Sequence, residues 1–268
     1  MKKCMQNFKF STMTQLQMID TTKSIAQQDE NVSAVLMYGS FTKNEGDQYS
    51  DIEFYIFLKS KENFSAKKWV NKIYSTTLYF TNEYGSEVAI FENLIRGEFH
   101  FLTINEIDVI KSWEGFVSFS DFDQMNLIDK DGFLTETLNQ IKTKLPDRTT
   151  NENILFLSQS LLNVLLTTSN LIKRKEYAHA YQSLSNVQKY LLWLIRIATN
   201  QTHHWESPTK SLEKDIDKDW YSEFRLTTSD LDTGNLKVAF QNSLNLSKKL
   251  FDELGVKTDL KRLLNRIE

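Results

Sequence analysis

The stretch VLMYGSFTKNEGDQYSDIEFYIFL, Val35 to Leu58, decides how this chain folds. The apolar run Val32 to Tyr38 stops at Gly39-Ser40, and a short apolar run closed by a glycine predicts a buried strand. Asp51 opens a second run. Because successive side chains of a strand alternate, Ile52, Phe54, Ile56 and Leu58 share one face, and Asp51, Glu53, Tyr55 and Phe57 share the other. The first face is wholly apolar and the second starts with two acids. Such a strand packs one side on a core and turns the other toward solvent or a site.

Each part of the stretch has a chemical use. A glycine lets the backbone approach phosphate oxygens closely, and Ser40 adds a hydroxyl and an amide donor. A helix begun at Phe41 to Glu45 would point free N–H groups at the same phosphates. Carboxylates at i and i+2 project together and can hold Mg²⁺ through oxygen ligands, with a triphosphate supplying others. Metal held there neutralises the triphosphate and positions its α-phosphorus for in-line attack.

Working outward, Thr12 to Gln28 and Ala66 to Tyr79 are helical in pattern, and Glu87 to Phe91 and Glu98 to Ile104 are strand-like, separated by a turn near Arg96-Gly97. Asn126 to Asp131 is expected as a last short strand, closed at Gly132. Beyond KLPDRTTNEN, Lys144 to Asn153, the strand patterns stop. Asn153 to Leu171, Tyr181 to Ala198, Leu236 to Leu254 and Asp259 to Ile267 carry wide apolar faces of the kind that pack in bundles. The expected fold class is α+β: a domain over 1–145 with a mixed β-sheet, then a C-terminal helical bundle over 146–268.

Composition narrows the functions. Of 268 residues, 40 % are hydrophobic and 25 % charged, enough to bury a real core. A formal net charge of −3 gives no general pull toward nucleic acid or an acidic membrane, so neither is expected as a partner. A single cysteine, Cys4, allows no internal disulfide and fits a reducing compartment. The opening MKKCMQNFKF lacks the apolar middle of a signal peptide, and the nearest apolar run, Tyr190 to Ala198 apart from Arg196, is too short to cross a bilayer. A cytoplasmic protein is expected. His203-His204 has no cysteine nearby and is taken as a solvated loop rather than a zinc site.

The order strand, Gly-Ser, spacer, Asp-x-Glu resembles the nucleotidyltransferase superfamily that includes DNA polymerase β and the aminoglycoside nucleotidyltransferases. With its all-helical second half, the chain is most similar to lincosamide nucleotidyltransferases of the B type. The resemblance implies transfer of AMP from ATP to a hydroxyl of a small antibiotic such as lincomycin or clindamycin, with Mg²⁺ as cofactor and pyrophosphate as product. It also implies a homodimer. Asp51 and Glu53 become the metal ligands, and Gly39 and Ser40 the nucleotide-binding turn. The superfamily places a third acid on a neighbouring strand, and Glu87, Glu92 and Glu98 compete for it. Glu98 is chosen because Glu98 and His100 share one face while Phe99 and Phe101 share the other, as on the Asp51 strand. Glu87 starts its run, and Glu92 falls in phase with Val88 and Ile90. Glu98 would take the proton of the acceptor hydroxyl, bind metal, or both. His100 would contact the drug or tune Glu98. Lys173 is the candidate phosphate contact by analogy with a lysine in the helical domain of kanamycin nucleotidyltransferase. That enzyme also has a helical-domain glutamate as base; Leu161 to Ile172 here has no acid, so the base is sought on the sheet.

Overall fold

The structure is a computed structural model that describes residues 14–115, 119, 121–141 and 145–267. It divides into two compact units, Met1–Leu145 and Pro146–Glu268. The fold class is α+β: a mixed sheet first, helices after it.

In the N-terminal unit the elements run α1 (Gln15–Gln28), β1 (Val32–Tyr38), β2 (Ile52–Leu58), α2 (Ala66–Val70), β3 (Thr76–Thr81), β4 (Glu87–Phe91), β5 (Arg96–Thr103), α3 (Phe122–Met125), β6 (Asn126–Asp129) and α4 (Phe133–Gln140). Thr14 starts α1 with a reciprocal capping box to Gln17, which satisfies helix donors that would otherwise lack partners. The six strands lie in the order β3-β4-β5-β2-β1-β6, with β2 and β5 parallel and the other pairs antiparallel. One face buries Ile52, Phe54, Ile56, Phe91 and Phe99 together with Met18 of α1 and Trp69 of α2. The other face buries Ala34, Leu36 and Phe57 with Leu134 and Leu138 of α4 and with Ile107 and Ile110 of a 3₁₀ helix, Ile104–Trp113. That second cluster does not include the end of the face where β2 and β5 begin. There the side chains of Asp51, Glu98 and Arg96 are 37 %, 20 % and 36 % exposed, which leaves room for a site.

Three local expectations are corrected. The predicted helix Ala66 to Tyr79 stops at Val70, and Thr76–Thr81 is a strand paired with β4. Its Thr, Tyr and Phe residues suit a pleated surface, and that tendency overrides the helical spacing. Phe41 to Glu45 is no helix: Ser40–Lys43 makes a single 3₁₀ turn, closed by Asn44 in the left-handed region. Arg96-Gly97 is not the turn. The chain reverses earlier, at Leu94 (φ 63°), and Arg96 is already a strand residue opposite Ile90. Cys4 lies outside the described residues.

The C-terminal unit holds α5 (Asn151–Lys173), α6 (Tyr177–Ala198), α7 (Leu212–Asp215), α8 (Lys218–Arg225), α9 (Thr233–Glu253) and α10 (Thr258–Leu264). Leu161, Leu165, Leu191, Ile195, Leu236 and Leu250 lie in one shared core. Against the expectation that no run is long and apolar enough to cross a bilayer, α5, at 23 residues, is so by length and composition. Half of its most apolar stretch is buried, as expected of a bundle's core helix. Fully buried Arg196 donates to the carbonyls of Pro208, Gln201 and Lys210 and to Asp215 at 3.0 Å. His204 Nδ1 lies 2.7 Å from the same Asp215 oxygen. The solvated-loop reading therefore holds for half-exposed His203 but not for His204, whose ring is buried in this clamp.

Candidate active site

Parallel pairing of β2 with β5 sets Ile52 opposite Gly97, Glu53 opposite Glu98 and Tyr55 opposite His100. Residues directly opposite share a face, so Glu53 and Glu98 stand side by side, and the Tyr55 and His100 rings stack at 4.0 Å and 8°. One step earlier, Asp51 and Arg96 meet across the same two strands. Arg96 Nη1 donates to Asp51 Oδ2 at 2.6 Å and Nη2 donates to Glu98 Oε2 at 2.5 Å. One guanidinium thus joins two carboxylates at the short distances of charge-assisted bonds.

Gly39 completes the floor. Its φ of 84° and ψ of −155° fall in a region that side chains essentially exclude. A Cβ placed there would lie 1.6 Å from Glu53 Oε2. The space over the Gly39 Cα is therefore filled by the Glu53 carboxylate, and the glycine serves to seat that acid. Beside it Tyr38, paired with Glu53 across β1 and β2, puts its hydroxyl 3.1 Å from His100 Nε2. The buried Ser86 hydroxyl is 3.3 Å from the same nitrogen.

The electrostatics follow from this packing. Burial acts to raise the Glu98 pKa, but hydrogen bonds from Arg96 and Ser86 and the Arg96 charge outweigh it and hold the group below its ordinary value. Burial pushes the Tyr38 hydroxyl far up, with Glu98 and Glu53 adding to the effect, so it stays protonated. Burial also lowers the His100 pKa, against the pull of Glu98, which favours a neutral imidazole.

Residues 150–267 match the family described as lincosamide nucleotidyltransferase-like, C-terminal domain. The match spans the helical unit and falls short of half the chain. That match bears out the nucleotidyltransferase resemblance at family level and does not reach the B type. Among solved structures, an aminoglycoside 6-adenyltransferase from Bacillus subtilis is similar at 16 % identity over 93 % of this chain and 97 % of that one, with a TM-score of 0.41. A nucleotidyltransferase-like protein from Exiguobacterium sibiricum is similar at 15 % identity over 89 % and 77 %, with a TM-score of 0.38. Likeness at that level assigns nothing to the chain. No curated protein matches.

In the N-terminal unit the structure gathers Gly39, Asp51, Glu53, Glu98 and His100 on one end of one sheet face. Ser40 begins the adjoining 3₁₀ turn. Glu87 faces the opposite way, paired with Phe99 on the core side, and accepts from the Thr81 hydroxyl. Glu92 shares the phase of Val88 and Ile90, and Val88 pairs with Glu98, so its phase points to the site face. β4 has ended at Phe91, and Glu92 is exposed beyond it. Lys173 belongs to the other unit, exposed in the last turn of α5. Arg96, Tyr38 and Ser86 were missed. Arg96 was legible in principle, because Arg96, Glu98 and His100 alternate on one face once the strand is started two residues earlier.

Proposed function

We propose that this protein is a metal-dependent nucleotidyltransferase that moves AMP from ATP to a hydroxyl of a lincosamide antibiotic such as lincomycin or clindamycin and releases pyrophosphate. The observation that carries the reading is the register of β2 with β5, which sets Glu53 beside Glu98, with Asp51 and Glu98 close enough to share one cation. Like charges directly opposite each other on neighbouring strands are unfavourable, so this pairing is expected where the acids have work to do. An all-oxygen donor set suits a hard ion such as Mg²⁺. Asp51, Glu53 and Glu98 would hold it, and when bound it neutralises triphosphate charge and polarises the phosphoryl group under attack.

The chain's own residues supply the rest. Gly39 seats Glu53, and the amide and hydroxyl of Ser40 would serve as donors to the triphosphate. Glu98 carries a depressed pKa and so remains ionised at neutral pH, which favours a ligand role; as a base it would be weak while Arg96 is bound to it. Tyr38 and Ser86 orient the neutral His100 ring, which offers a hydrogen bond to the acceptor. The family of the helical unit supports an antibiotic acceptor and a cytoplasmic setting. A homodimer is proposed on family analogy, and sedimentation as a monomer at working concentration would remove it.

Incubation of the full chain with labelled ATP, Mg²⁺ and clindamycin tests the activity. Label on the drug supports the proposal. Label on protein alone would make this an adenylylating enzyme of protein partners, and no transfer at all would leave only an inactive nucleotide-binding fold.

A further inference from the structure

Arg96 takes no direct part in the chemistry outlined above, yet it makes two short bonds in the site. It bridges Asp51, the residue just before β2, and Glu98 on β5, and both acceptor oxygens belong to carboxylates proposed to hold metal. A guanidinium keeps its charge at any pH a protein survives, so it cannot be neutralised in place; it can only move. It has the means to do so, being a long side chain about one-third exposed at the first residue of β5.

We propose that Arg96 is a resident competitor for the metal-binding oxygens: it closes Asp51 onto Glu98 in the resting protein and releases them when nucleotide and divalent ion arrive together. This rests on the reading of Asp51, Glu53 and Glu98 as metal ligands. Three carboxylates and one guanidinium leave a net charge near that which a single divalent ion would cancel, so a bare ion gains little by evicting Arg96. A triphosphate changes the balance. Its oxygens give the planar guanidinium a bidentate partner of the kind it binds best, so Arg96 can leave the carboxylates without losing its hydrogen bonds. Arg96 thereby makes metal binding depend on nucleotide, and it is a positioning residue toward the carboxylates.

The test uses the full chain and Mn²⁺, with free Mn²⁺ read by electron paramagnetic resonance. Without nucleotide, Arg96→Met binds Mn²⁺ at least tenfold more tightly than wild type, and Arg96→Lys falls between, since an ammonium is a poorer bridge for two carboxylates. With a non-hydrolysable ATP analogue present, the order reverses, and Arg96→Met binds the analogue at least fivefold more weakly. Circular dichroism shows which variants fold; Arg96→Gln replaces Arg96→Met if the latter does not. If Asp51→Asn loses Mn²⁺ while the Arg96 variants match wild type within twofold, the competition is overturned and the carboxylate reading stands. If Asp51→Asn binds Mn²⁺ as wild type does, the ligand reading itself fails and takes this proposal with it.

Discussion

Replacing Gly39 with alanine should separate the seat of the carboxylate from the strain of the turn. The new Cβ would sit 1.6 Å from Glu53 Oε2 and 2.7 Å from its Cδ. To reach ordinary contact at 3.4 Å, that oxygen must retreat by about 1.8 Å. A displacement of even 1 Å in a reacting constellation can cost roughly a hundredfold in rate, so turnover should fall at least that far. The backbone adds its own cost, because φ 84° with ψ −155° is nearly glycine-only and places a side chain at about 1–3 kcal/mol of strain. Gly132→Ala is the control. Gly132 also has a positive φ, 82°, but a Cβ there meets nothing within 4 Å. Urea melts should show both variants destabilised, while pyrophosphate release from MgATP and clindamycin should collapse only in Gly39→Ala. If folded Gly39→Ala turns over at the wild-type rate, Glu53 has no fixed seat to lose and the constellation described here is wrong.

Glu53→Gln keeps the shape of the side chain but removes its charge, and should abolish turnover in a variant that still folds. Glu98→Gln should lose at least about a hundredfold in rate, whereas Glu92→Gln and Glu87→Gln, beyond the strand end and on the opposite face, should stay within twofold of wild type. Asp215→Asn should cost about 3 kcal/mol, because it strips the charge partner from fully buried Arg196, three carbonyl acceptors notwithstanding. Burial acts to raise the Asp215 pKa, but hydrogen bonds from His204 and Arg196 hold it below its ordinary value. The folded chain therefore binds that proton less readily than the unfolded one. Stability from the pair is full above the unfolded Asp value and drains as pH falls through the folded one, so thermal melts of Asp215→Asn should lack that part of the acid-side loss.

Strand alternation made β2 legible to the residue, because Ile52, Phe54, Ile56 and Leu58 leave only one way for Asp51 and Glu53 to point. The same reasoning found β1, β4 and the long helices of the second unit. It failed where local pattern and partner choice disagree. Thr76 to Thr81 continues a helical spacing and becomes a strand because β4 offers it a ladder. The 3₁₀ helix Ile104–Trp113 and the short helices α3 and α4 were not foreseen, since their apolar residues match the sheet face they cover rather than a long repeat of their own. Arg96 went unseen for a related reason. An Arg-Gly pair looks like a turn until Ile90 is known to pair with it, and the reversal is instead taken by Leu94 at positive φ.

From the Asp51–Arg96 ion pair at its mouth, the β2–β5 ladder passes through the like-charged pair Glu53–Glu98 to the aromatic stack Tyr55–His100. A sheet selected for stability alone would not place like charges at the junction of its parallel neighbours, where neither strand can slip without turning Phe54 and Phe99 out of the core. The apolar face thus does more than bury surface: it locks the register that forces the acids together. Arg96 relieves the repulsion at one end, and the stacked Tyr55 and His100 rings hold the strands at the other. What remains in the middle is a concentration of negative charge on a rigid support, stable enough to persist and unfavourable enough to welcome a cation.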